Sequence, residues 1–216
     1  MSDEDLGLLR AWQAGDVAAG RALIRRHYAG VYRFFFARVD GDACEDLTQA
    51  TFEVVVRRRG DYRGEGAFRA YLYGIARNVL INHVRRAQRE RERFEPGEHS
   101  FADPLSDHAS QMFAEREHER IVSAALRSLP LDDQIAIELK DWEGLSQDEL
   151  ALLFGVPRST IGSRLSRARA RLRQAIEALT ADVELRGELQ EGLDTCMGSI
   201  RRKIDQHLAR GGRERP

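Results

Sequence analysis

Apolar residues recur along the chain at intervals of three and four, the spacing of one face of an α-helix. Ile24, Tyr28, Val31 and Phe35 make one such stripe, and Phe68, Leu72, Ile75 and Val79 make another. Strands are not expected: there is no sustained alternation and no Asn-Gly hairpin, and the run Phe34 to Phe36 lies inside the first helical pattern. Gly41 breaks that pattern. Asp42 with Glu45 three residues later reads as a capping box opening a helix over about Cys44 to Val56. Gly60, Gly64 and Gly66 make RRRGDYRGEG a loop before the next helix. Residues 1–93 are therefore expected to form a helical bundle.

Residues 94–111 hold two prolines, several turn formers and little periodicity, the signature of a linker. A second helical unit is expected over 112–178. There Leu129-Pro130 ends one helix, Asp132 and Asp133 open the next, and Gly144 closes it. Ser146 and Glu149 form an S-x-x-E capping box for SQDELALLF, which stops at Gly155, and Pro157 suits the first turn of a long helix that follows. In that helix Ile161, Leu165, Ala168 and Leu172 share an inner face, and Thr160, Ser163, Arg164, Ser166, Arg167 and Arg171 share the outer one. A capped helix, a tight turn and a basic second helix are the parts of a helix-turn-helix. Beyond it, Leu185, Leu189, Leu193, Met197, Ile200, Ile204 and Leu208 predict one amphipathic helix within 179–216, despite Gly187, Gly192 and Gly198. The fold class expected is all-α: two helical domains joined by an acidic linker, the second with a helix-turn-helix, and a helical C-terminal extension.

With 42% hydrophobic and 32% charged residues, the 216-residue chain has the composition of a globular protein, and its net charge of −1 conceals strong segregation. Residues 57–93 carry 11 basic and 4 acidic groups, 94–149 carry 4 and 14, and 150–176 carry 6 and none. Two basic blocks around an acidic one predict two surfaces for a polyanion. There is no apolar run of about 20 residues and no basic-apolar leader, so a cytoplasmic protein without membrane insertion is expected. Cys44 and Cys196 stand far apart and read as small core residues, and the six histidines have no metal-ligand spacing. No phosphate-binding loop is present either. Neither metal nor cofactor is expected, nor is an enzyme.

Two blocks carry a resemblance: EDLTQATFEVVVRR followed by DYRGEGAFRAYLYGIARNVLINHVRR, and LRSLPLDDQIAIELKDWEGLSQDELALLFGVPRSTIGSRLSRARARLR. In this order they resemble the extracytoplasmic-function (ECF) sigma factors of bacterial RNA polymerase, over about residues 10 to 178. The resemblance implies that the chain binds core RNA polymerase through Asp46, Leu47, Gln49 and Glu53. It implies that Tyr62, Arg63, Gly64 and Glu65 form a pocket for an extruded base at the downstream promoter element, where the duplex is melted. Asn78 and Asn82 would read exposed base edges while Arg77, Arg85 and Arg86 hold phosphates. For the duplex upstream element it implies Arg158, Ser159, Thr160, Ser163, Arg164, Ser166, Arg167 and Arg171.

Two positions depart from the family pattern. Ala50 stands where an acidic residue is frequent, which weakens a surface meant for a basic partner, and phosphorylation of Thr48 or Thr51 would restore charge there. Gly162 stands in mid-helix where a basic residue is usual. An anti-sigma protein or a regulatory kinase are further partners to be considered. In the family the linker follows a basic path in the polymerase; physically, its acids also suit masking of the basic patches in the free chain. The extension lies beyond the resemblance, and two roles fit it: packing on the second unit, or regulating access as a tail docked on the first bundle or a partner. The alternative function is a freestanding helix-turn-helix regulator that binds duplex DNA without polymerase.

Overall fold

The structure, a computed structural model, describes residues 3–39, 41–62, 67–94, 117–180 and 183–211, and among them every regular element is a helix. The first unit comprises α1 (Asp3–Gln13), α2 (Val17–Phe36), α3 (Gly41–Arg57) and α4 (Phe68–Phe94). Asp16 caps α2, its carboxylate accepting from the amides of Ala18 at 2.8 Å and Ala19 at 3.0 Å. Helix α2 packs against α1 on one side and α3 on the other, and α4 closes the bundle on α3. The helix α3 begins at Gly41, about three residues earlier than its spacing predicts, so Asp42 lies within the first turn. Its charge there faces the positive end of the helix dipole rather than serving as a cap.

The second unit comprises α5 (Glu117–Arg127), α6 (Leu131–Asp141), α7 (Gln147–Phe154) and α8 (Arg158–Leu179). Helices α5, α6 and α7 all pack on α8, whose Ile161, Leu165, Ala168, Leu172 and Ile176 are buried. Gly144, at φ 65°, closes α6 as expected, just after Trp142 caps it. Pro157 occupies the N-cap of α8 rather than its first turn. The extension forms two helices instead of one, α9 (Val183–Glu191) and α10 (Leu193–Gly211). The break falls at Gly192, whose amide donates to the Glu188 carbonyl at 2.8 Å. A Cβ at Gly192 would lie 2.9 Å from that oxygen, so only glycine fits this joint without a shift.

The two units are in contact. Helix α7 lies on α4, while α10 packs on α5 of the second unit and on α2 of the first. Consequently the end of α2, Gly30 to Phe36, is buried all round, including the side chain of Arg33. Within the cores, Cys44 and Cys196 are buried as expected, and burial pushes their thiols up to about 12 and about 11.

Helix α1 is held by a close approach at Gly20. A Cβ there would lie 2.5 Å from Nε1 of the Trp12 indole and 2.6 Å from two of its carbons. Alanine gains up to about 1 kcal/mol of helix propensity, but overpacking a rigid ring costs about 1–3 kcal/mol. Gly20→Ala is expected to lower stability by about 1 kcal/mol, measured by urea denaturation.

Candidate nucleic-acid interface

The helix-turn-helix is assembled by local chemistry. Ser146 Oγ accepts from the Glu149 amide at 3.2 Å while Glu149 Oε2 accepts from the Ser146 amide at 2.7 Å, so both legs of the predicted box are made. Gly155 then ends α7 at φ 65°, the left-handed region that favours glycine. That turn sets α8 across α7. On the outer face of α8, Arg158, Ser159, Ser163, Ser166, Arg167 and Arg171 are exposed, and Thr160 and Arg164 are half-buried.

Most of these arginines already have carboxylate partners from their own unit. Arg158 pairs with Asp148 at 2.9 Å, Arg169 with Asp141 at 2.7 Å, Arg164 with Asp132 at 3.3 Å, and Arg171 with Asp133. The acids that cover the basic helix thus sit on α6 and α7. The linker acids lie outside the described residues. Arg164 and Arg167, one turn apart, are placed differently: Arg167 is exposed, whereas the Arg164 guanidinium lies 4.8 Å over the Phe154 ring. Gly162 has open space around it, with nothing within 4 Å of an added Cβ.

On the first unit, Asn78, Asn82, Arg85 and Arg86 are exposed at the three- and four-residue spacing of one face of α4, Arg86 pairing with Glu90 at 3.0 Å. Beside them runs a groove of about 480 Å³, lined by Tyr62, Tyr71, Ile75 and Asn78 and also by Leu152 and Leu153 of α7. Tyr62 is mostly buried in an aromatic cluster, edge-on to Phe68 at 6.3 Å and tilted against Tyr71 at 5.0 Å. Gln13 Nε2 donates to the carbonyls of Arg59 and Tyr62 at 2.6 and 3.1 Å, which ties α1 to the entrance of the loop. Arg63, Gly64 and Glu65 lie outside the described residues. Arg77 is turned away from the exposed face and gives its Nη2 to Asp132 at 2.7 Å.

The polar face of α3 presents Asp46, Gln49 and Glu53 outward, with Leu47 half-buried. Gln49 and Glu53 border a shallow groove of about 410 Å³ whose floor is Ile24, Tyr28, Phe52 and Val56. The Tyr28 and Phe52 rings stack there at 6.0 Å. Sequence patterning places Ile24 and Tyr28 in the core, because they continue the α2 stripe; the signal that they form a surface is Val56, an apolar residue 40% exposed on the same side. Thr48 and Thr51 are inside the bundle, donating to the carbonyls of Cys44 at 2.7 Å and Leu47 at 2.8 Å. This placement argues against the phosphorylation expected at either hydroxyl, since the added charge would enter the core.

Among the described residues no group of His, Cys, Asp and Glu is placed to hold a metal ion, and no helix is long and apolar enough to cross a membrane. The family descriptions Sigma-70 region 2 and Sigma-70, region 4 match residues 23–90 and 119–172. The ECF RNA polymerase sigma factor SigE of Mycolicibacterium smegmatis is 34% identical over 177 residues, covering 80% of this chain and 68% of that protein. The RNA polymerase sigma-H factor of Pseudomonas aeruginosa is 30% identical over 187 residues, covering 82% and 96%. Among solved structures, CnrH in complex with the cytosolic domain of CnrY shares the fold with a TM-score of 0.59 at 24% identity, over 82% of this chain and 99% of that one. With both regions matched in order and relatives of this identity along most of its length, the chain belongs to the ECF group of RNA polymerase sigma factors.

Proposed function

We propose that this protein binds core RNA polymerase and directs it to promoters by recognising two DNA elements, the downstream one as a melted strand. The observation that supports this best is the presence in one chain of two chemically different faces. One is a helix-turn-helix with an arginine and hydroxyl surface, which suits phosphates and base edges of a duplex. The other is the Asn78–Asn82 face beside an aromatic groove, which suits unstacked bases. A freestanding regulator has no use for the second face. The α3 face with its apolar groove suits a protein partner, and Glu53 and Gln49 give it a polar rim.

Transcription from a genomic promoter library by purified core polymerase, with and without this protein, tests the reading as a whole. Addition is expected to start RNA at a restricted set of promoters; duplex binding by the chain alone, with no effect on start sites, would favour a freestanding regulator. Glu53→Arg is expected to weaken association with core polymerase about tenfold, or about 1.4 kcal/mol, by reversing charge at the rim. Pull-down titration reads it. Asn78→Ala is expected to lower open-complex formation about tenfold, as loss of one base contact does, while leaving polymerase affinity unchanged; permanganate footprinting and the same pull-down separate the two. Gly162→Arg is expected to tighten binding to upstream-element duplex and to steepen the slope of log affinity against log salt by about 1, the signature of one added phosphate contact.

A further inference from the structure

The two DNA-facing surfaces do not stand apart in this structure. Leu152 and Leu153 of α7 form one wall of the groove that holds Tyr62 and Asn78, although Leu152 itself is 58% exposed. At the same junction a single carboxylate serves an arginine from each unit. Asp132 accepts from Arg77 of α4 at 2.7 Å and from Arg164 of α8 at 3.3 Å. Both guanidiniums also lie over the Phe154 ring, 5.5 and 4.8 Å from its centre. A phosphate needs the donors that Asp132 engages.

The rest of the junction is largely ionic. Arg33 pairs with Glu143 at 2.7 Å and Arg38 with Glu138 at 2.7 Å, both across the units. The second pair is fully enclosed, with Arg38 Nη2 2.7 Å from Glu138 Oε2. Such pairs lose in desolvation much of what they gain in attraction, so they define one docked geometry without cementing it. Helix α10 supplies the remaining hold. Its Asp205 meets Arg33 of α2 and its His207 ring lies 5.2 Å from Phe36; on the opposite unit its Ser199 donates to Glu119 of α5 at 2.7 Å, Lys203 pairs with the same carboxylate, and Arg201 donates to the Trp142 carbonyl. Ile200 and Ile204 lie between, at the meeting point of α2, α5 and α6.

We propose that α10 is a built-in strap that holds the two units closed, so that α7 walls off the downstream-element groove and Asp132 occupies one arginine of each unit until the units are parted. The proposal rests on the promoter-binding reading above and adds its regulation. A chain closed in this way binds nucleic acid in proportion to its open fraction, so raising that fraction from about one in ten to near unity tightens binding about tenfold.

The test uses the full chain and two variants at opposite ends of the junction. Asp205→Arg sets a cation against Arg33, and Leu153→Glu places a charge in the α4–α7 contact. Circular dichroism checks that helix content is kept, small-angle X-ray scattering reads the radius of gyration, and anisotropy of labelled random-sequence 20-nucleotide duplex and single strand reads affinity. Expected is a larger radius and about tenfold tighter binding of both DNA forms for each variant that retains its helices. A radius unchanged by the strap substitution, or expansion without any gain in affinity, overturns the proposal; if Asp205→Arg fails to fold, the radius and affinities of Asp205→Ala, which removes the same α10–Arg33 pair, decide it in the same way. Because neither readout needs polymerase, a failure of promoter-directed transcription would count against the function and leave this result standing.

Discussion

Two arginines near the end of α2, Arg33 and Arg38, impose the constraint around which the units are arranged. Both are withdrawn from water, and a withdrawn guanidinium requires carboxylate or carbonyl partners. The first unit meets part of that need through the Phe34 carbonyl, which accepts from Arg38, and the Phe34 ring beneath it. The carboxylates come from elsewhere: Glu138 and Glu143 at the end of α6, and Asp205 on α10. Burial pushes the Glu138 carboxyl above its ordinary value, against the opposing pull of Arg38, which records what enclosing the pair costs. Removing one partner of such a pair costs roughly 3–5 kcal/mol, whereas separating both into water rehydrates each. A closed junction with one partner missing is therefore less favourable than an open one.

This polarity distinguishes the contact between units from the contacts within them. Inside each unit the helices meet through Leu, Ile, Phe and Ala, and nothing short of unfolding exposes those faces. Between units the contact combines ion pairs with apolar contacts from the leucines of α7 and from Ile200 and Ile204 of α10. Contacts of this kind suit domains that move relative to one another. The contact between units is thus the part of the fold best suited to adjustment.

The helix-turn-helix was legible because its determinants are local. Ser146, Glu149 and Gly155 act within one turn of where they stand, and Ile161, Leu165, Ala168 and Leu172 need only the helical period to be assigned inward. The exposed face of α4 was marked by the family resemblance rather than by spacing. Residues whose placement depends on distant partners were not legible. Arg77, a phosphate ligand by the resemblance, bonds an aspartate 55 positions away in this structure, and Arg33 bonds residues 110 and 172 positions away. No periodicity encodes such pairings. The extension shows both regimes: its apolar stripe identified Met197, Ile200 and Ile204 as buried, but the break at Gly192 depended on the approach of a carbonyl that spacing does not reveal.

Burial of the two thiols bears on their reactivity. Nucleophilic sulfur chemistry needs the thiolate, and with Cys44 raised to about 12 and Cys196 to about 11 the anion is scarce at neutral pH. Peroxide diffusing past would meet two protonated, shielded atoms and react slowly with either. In the folded chain neither thiol is suited to act as a nucleophile.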